Sequence, residues 1–241
     1  PDCCGIIGFA REVAGILGEK FIEPKIPEVV AKKSGMKIEV ADAELCPRYE
    51  CAVFEMDEAT GAEKYFSDDA VFLAKAGMRS ISRIVDATNI VMLMTGQPLH
   101  AFDYDKFVKI GGEKVGVRTA KKGEKIVLLD DSEIELTESD IVITSGEKAV
   151  ALAGAMGGKS TEIDDGTKKV MLEAATFSLY NLRKTQMEHG IFSEAITRFT
   201  KGQPVSGTEA GLKMALAKLG VSEAEIQDCE MSKVQQTTIK L

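Results

Sequence analysis

The chain has 241 residues, 44% of them hydrophobic, enough for one large domain or two small ones and too apolar for a disordered tail. Thirty Lys and Arg against 38 Asp and Glu leave a formal charge of -8, so the surface field as a whole repels phosphate, and any nucleic-acid contact has to be local or supplied from outside the chain. Five cysteines, Cys3, Cys4, Cys46, Cys51 and Cys229, form no CxxC pair and no Cys/His set, which gives zinc ligation little support and makes reduced cytosolic thiols the expectation. At the start, apolar side chains at Ile6, Phe9, Ala10, Val13 and Ile16 make one helical face stopped by Gly18. Asp2, Arg11 and Glu12 interrupt the apolar core that a signal peptide needs, and no run reaches the ~18 apolar residues of a membrane span. Pro24 and Pro27 then break the pattern, and 31–42, polar and mixed in Lys and Glu, reads as a linker into a strand at 49–55.

Ser67 before Asp68 and Asp69 predicts an N-cap opening a helix through Leu73, closed by Gly77. A second helix follows, with Ile81, Ile84, Val85, Val91 and Met92 near one face and Gly96 at its end. His100, one of only two histidines, then falls on a loop after a helix C-terminus, where the dipole favours its protonated form. A histidine in such a place is more often structural than catalytic, so context must decide. From 112 to 173 the texture changes to short β-rich runs, KVGVRTA, KIVLLDD, SEIELT, DIVITSGEKAVALAG and KKVMLEAATF, separated by turns. Helical character returns at 178–190 and from about 205 to 219. Strands grouped in the middle with helices at both ends argue α+β, with mainly antiparallel sheets flanked by helices. The missing initiator Met and the ending at Ile239, Lys240 and Leu241 suggest a piece of something larger.

AGAMGGKS, residues 153–160, satisfies a loose phosphate-loop pattern. A phosphate loop must open a helix, so that backbone N–H groups and the dipole point at the phosphates. Here TEIDDGTKKV follows, with Asp164, Asp165 and Gly166 making a turn into an apolar strand, so a tight glycine turn, or a wall where backbone comes close to a ligand, competes with nucleotide binding.

GMRSISRIVDATNIVMLMTGQPLHAFD, AMGGKSTEI, VMLEAATFS and SEAITRFTKGQP occur in that order and resemble blocks of the bacterial phenylalanyl-tRNA synthetase β subunit, with PDCCGIIGFAREVAGILG resembling the segment before them. The resemblance spans nearly the whole chain and implies a three-layer B3/B4 editing domain at 46–220, preceded at 1–45 by a helix and linker from the region before it and followed at 221–241 by the connection to the next domain. It further implies hydrolysis of Tyr-tRNA(Phe), made in error by an enzyme that ligates phenylalanine to tRNA(Phe). An apolar pocket shaped for Phe rejects an added hydroxyl by only about a hundredfold, whereas a second site expecting that hydroxyl can reverse the test. A non-catalytic scaffold within the same subunit is the rival reading.

Carried over by position, the resemblance makes Glu173 the carboxylate that accepts the tyrosine phenol, with a strand-end glutamate in water as its structural alternative. It places Arg79, Asn89 and His100 along the same cleft, His100 as a ligand or water positioner. Gly157 and Gly158 become the backbone wall, and Ser193 and Ala195 the small residues at the mouth. It implies no metal or cofactor for this stretch, ATP and Mg²⁺ only for the full-length synthetase, and a cytoplasmic enzyme. The implied partners are the α subunit in a heterotetramer of two α and two β, the acceptor end of tRNA(Phe), and tyrosine, with no membrane. The chain departs from the family pattern at Ile90, where Tyr is usual, at Met94, where the family is acidic, at Ile196, where it has Ser, and at RKTQM (183–187), where paired arginines are usual.

Overall fold

The computed structural model describes residues 1–26, 28–56 and 68–232. Helix α1 spans Ile6–Leu17 and ends at Gly18, whose left-handed φ of 68° closes the last turn. Its apolar face does not enter the core: Phe9, Ile16 and Leu17 are all exposed, and only Gly8 is buried. The stretch that reads as a linker carries two four-residue strands, β1 (Val30–Lys33) and β2 (Lys37–Val40). Both are exposed or half-buried edge strands, which is why their composition is polar. Strand β3 (Arg48–Glu55) is buried along all but its last residue.

Helix α2 (Asp68–Lys75) is described from Asp68, so the expected cap at Ser67, like Pro27 and residues 239–241, lies outside the described residues. Helix α3 (Arg83–Thr95) is capped by Ser82, which accepts from the Val85 amide, and stops at Gly96. After it come β4 (Leu99–Asp103) and α4 (Tyr104–Gly111), neither of which the sequence predicts. The β-rich middle resolves into β5 (Lys114–Thr119), β6 (Lys125–Val127), β7 (Glu133–Glu135), β8 (Ile141–Ser145), β9 (Lys148–Leu152), β10 (Met156–Gly157) and β11 (Lys169–Thr176). Helices α5 (Leu179–His189), α6 (Glu194–Phe199) and α7 (Gly207–Lys218) follow, then β12 (Glu223–Glu230).

One sheet has the order β1-β12-β3-β11-β4, the other β10-β9-β8-β5-β2, and β6 pairs with β7 as a separate ribbon. The pairs β1–β12 and β2–β5 are parallel and the rest are antiparallel. Because side chains alternate along a strand, β3 and β11 each send two sets of residues in opposite directions. Tyr49, Cys51, Val53, Met171 and Ala175 join Val115, Val117, Ile143 and Leu152 of the second sheet in one core. Ala52, Phe54, Val170, Leu172 and Ala174 form another core with Ile84, Ala87 and Val91 of α3 and Leu212, Ala215 and Leu216 of α7. The molecule is thus α+β in three layers: helices, first sheet, second sheet. Among the described residues no helix is long and apolar enough to cross a membrane.

Candidate functional site

The middle of the first sheet sets the site. Glu173 on β11 stands directly opposite Cys51 on β3 and His100 on β4, so all three residues share the face turned toward the second sheet. His100 is therefore on a strand, paired within a sheet, and not on a loop beyond the end of α3. The expected protonation is also reversed: burial among Phe102, Leu152 and the glycine wall pushes the imidazole down to about 4, so it is neutral at pH 7. The ring meets Phe102 edge-on, with centroids 4.5 Å apart.

Glu173 is 6% exposed. Tyr49, two residues along β3 from the direct partner, reaches diagonally across the pair and donates its phenol to Glu173 Oε2 at 2.6 Å. Burial raises the Glu173 carboxyl to about 7, and the Tyr49 hydrogen bond opposes that rise. Among the described residues no hydrogen bond reaches Oε1.

A cavity of about 60 Å³ opens on this face, bounded by Leu99, His100 and Glu173 on one side and by Leu152, the backbone from Ala153 to Gly157, Ala195 and Phe199 on the other. Gly157 forms the wall against the imidazole, since a Cβ placed on it would stand 2.6 Å from His100 Nε2. Gly158 has a different role. Its amide donates to the Val150 carbonyl at 3.0 Å, and a Cβ there would run into Val150 and Ile126, away from the cavity. Ser193 caps α6 by accepting from the Ile196 amide, and it donates to the Ala155 carbonyl at 2.9 Å, tying the helix that carries Ala195 to the cavity wall.

His100, Glu173, Gly157 and Ala195 thus converge on one cavity, with Ser193 at its edge. Arg79 and Asn89 do not line it. Arg79 is exposed between α2 and α3, and Asn89 lies on α3, which packs on the opposite face of the first sheet. Of the departures from the family pattern, Ile196 is fully buried in the core between the sheets and Ile90 is buried on α3, on the other side of the first sheet, and at either place a hydroxyl would need a partner. Sequence reasoning missed Tyr49, although the alternating pattern of 49–55 does put it on the same face as Cys51 and Val53. The second histidine is structural: His189 Nε2 lies 2.7 Å from Oδ2 of fully buried Asp140, which also accepts from Thr185 and the Thr137 amide.

The glycine-rich 153–160 stretch does not build a phosphate loop. After β10 it makes only a three-residue 3₁₀ turn, Lys159–Thr161, and Lys159 is engaged by Asp131 and Glu162. No α-helix begins there to aim backbone amides at an anion, so the nucleotide-binding alternative falls.

Residues 70–220 match the B3/4 domain family. The phenylalanine–tRNA ligase β subunit of Carboxydothermus hydrogenoformans is 40% identical over 227 residues, covering 93% of this chain and 27% of that protein. The corresponding subunit of Anaeromyxobacter dehalogenans is 36% identical over 250 residues, covering 100% and 30%. The chain therefore spans less than a third of the length of these relatives. An N-terminal fragment of the phenylalanyl-tRNA synthetase β subunit from Pyrococcus horikoshii has a similar fold, with a TM-score of 0.52 at 16% identity over 91% of this chain and 57% of that one.

Proposed function

The chain belongs to the B3/4 domain family, in the form carried by phenylalanine–tRNA ligase β subunits, and from that premise we propose that its cavity hydrolyses Tyr-tRNA(Phe) misacylated by the parent synthetase. The observation that carries the proposal is Glu173: a buried carboxyl lining a small cavity, with Oε2 held by a phenol and Oε1 without a hydrogen bond among the described residues. A tyrosine phenol donating to Oε1 would gain a hydrogen bond, whereas phenylalanine would leave a desolvated acceptor unpaired. Neutral His100 would orient the ester or the attacking water; a base of pKa about 4 is too weak to take a proton outright at pH 7. The wall from Ala155 to Gly157 would let the ester carbonyl approach backbone closely, as polar stabilisation of an oxyanion requires. Arg79 and Asn89 receive no part at the cavity in this reading.

The α subunit, the acceptor end of tRNA(Phe), and ATP with Mg²⁺ for aminoacylation belong to the longer enzyme that this reading implies. No residue here is assigned to ATP or Mg²⁺. One observation favours a second reading, a scaffold that has lost editing: the space of about 60 Å³ is small beside the ~150 Å³ of an enclosed cavity that admits a benzene ring, so a phenol would have to reach in from the open side or displace the lining.

Deacylation of Tyr-tRNA(Phe) and Phe-tRNA(Phe) separates the two. Editing requires that Tyr-tRNA(Phe) be cleaved in preference and that Glu173→Ala lose roughly ten- to a hundredfold of that rate, at 1.4 kcal/mol per decade, together with the preference. No cleavage above the spontaneous rate by the wild-type protein, assayed in its synthetase, would establish the scaffold.

A further inference from the structure

Nothing in the proposed reaction calls for Tyr49, yet the fold invests heavily in it. Its side chain is fully buried, it lies on the strand between β12 and β11, and its phenol points across the sheet to the one carboxyl at the cavity floor. A leucine or phenylalanine would fill the same space in that core without a polar atom to satisfy. The phenol has one donor, and that donor is spent on Oε2 at 2.6 Å, a short bond of the kind a carboxylate makes.

We propose that Tyr49 is a specificity-determining positioning residue, which fixes the Glu173 carboxyl so that Oε1 alone faces the cavity as an acceptor for an incoming hydroxyl. This rests on the hydrolytic reading of the site and deepens it by naming how one added hydroxyl is counted. A buried carboxyl free to rotate could take up a proton and turn its own O–H toward an apolar ring, tolerating phenylalanine. With Oε2 occupied by a donor, the ionised form is favoured, and Oε1 stays an acceptor with no hydrogen of its own to offer an apolar ring. The second effect is on proton affinity: the Tyr49 bond pulls the carboxyl down against the burial that raises it to about 7.

The test is Tyr49→Phe, which keeps the ring and removes only the donor. Two measurements are made on the intact protein. The first is direct titration of the Glu173 side chain by carbon-detected NMR, with Glu173→Gln to assign the signal. The midpoint is expected to rise by about one pH unit in Tyr49→Phe, the shift that a tenfold loss of preference for the charged form produces. An unchanged midpoint overturns the proposal, whether or not the protein hydrolyses anything. The second is the ratio of deacylation rates on Tyr-tRNA(Phe) and Phe-tRNA(Phe) across pH 6 to 9. Tyr49→Phe is expected to lose about tenfold of the ratio near pH 7 and to recover part of it as Glu173 ionises at higher pH. A uniform fall on both substrates at every pH would mark Tyr49 as merely structural and overturn the proposal. If the wild type cleaves neither substrate, the hydrolytic reading fails, and with it the claim on specificity, while the titration still decides whether Tyr49 controls the carboxyl.

Discussion

Glu173 and His100 face each other across β11 and β4 as an acid and a base that are not an ion pair at neutral pH, because burial moves the carboxyl up to about 7 and the imidazole down to about 4. Each is shifted toward its uncharged form, and each leaves a mark on stability in its own direction. Glu173 has a folded value above its ordinary 4.5, so its contribution is fully present below pH 4.5 and is lost as pH rises through about 7. His100 has a folded value below its ordinary 6.5, so its contribution is present above pH 6.5 and is lost as pH falls toward about 4.

Glu173→Gln should accordingly gain stability relative to the wild type by about 3 kcal/mol on going from pH 4.5 to pH 8, at 1.36 kcal/mol per unit. Urea denaturation at the two pH values measures this. Glu50, buried on the opposite face of β3 beside Arg48 and also raised to about 7, titrates in the same window. The comparison is therefore repeated in a Glu50→Gln background, and parallel pH curves for the wild type and Glu173→Gln would show that Glu173 ionises as it would in water.

Ala195→Trp puts an indole where a methyl borders a cavity of about 60 Å³. Tyrosine binding and deacylation should both disappear while circular dichroism stays native, since Ala195 is half-buried on α6 at the cavity edge. A folded variant with full activity would show that substrate does not pass Ala195.

The two glycines of the wall should separate cleanly. Gly157→Ala drives a methyl into the His100 ring, so the ring must swing and activity should fall at least tenfold, with a modest loss of stability of about 1–3 kcal/mol. In Gly158→Ala the new methyl meets the Val150 backbone, which cannot give way as a side chain does. Its defect should appear first in the urea midpoint, with the rate per folded molecule preserved. The reverse assignment of the two defects would contradict the geometry.

Asp140→Ala removes a fully buried carboxylate that Thr185 Oγ1, His189 and the Thr137 amide all engage. With the Thr137 hydroxyl, which also donates to Oδ2, four polar groups would lose their common partner, at a cost of about 3 kcal/mol or more. The chemical-denaturation midpoint measures it, and a loss under 1 kcal/mol would mean that water replaces the carboxylate without strain.

The α+β layering was legible because β3, β8, β9 and β11 each carry a short apolar run, at 51–54, 141–143, 149–152 and 170–172, and because Gly18 and Gly96 end their helices as written. Strands β1, β2 and β12 were not legible. They are edge or near-edge strands with polar sides, and their pairing is settled by partners far away in the chain. For the same reason His100 reads as a loop residue: LHAFD has no alternation of its own and becomes a strand only against β11. The convergence of Gly157, Ala195, His100 and Glu173 came from the motif resemblance. Tyr49 lay outside every quoted motif, and only the cross-strand register shows what it touches.

That register also dictates when the site can exist during synthesis. Strand β3 finds its neighbours at 169–176 and 223–230, so the sheet that carries Tyr49 and Glu173 is closed by segments more than a hundred residues downstream. Loop-closure entropy of that span is met before the pairing returns any contact energy, which places this domain among the slow, high-contact-order folders. A ribosome must release the chain through residue 176 before the carboxyl and phenol can meet, and through 230 before β3 is paired on both sides. Until then β3, with its apolar 51–54 run and both faces destined for burial, is an unpaired strand in a growing chain, and that interval is when the protein is most exposed to aggregation.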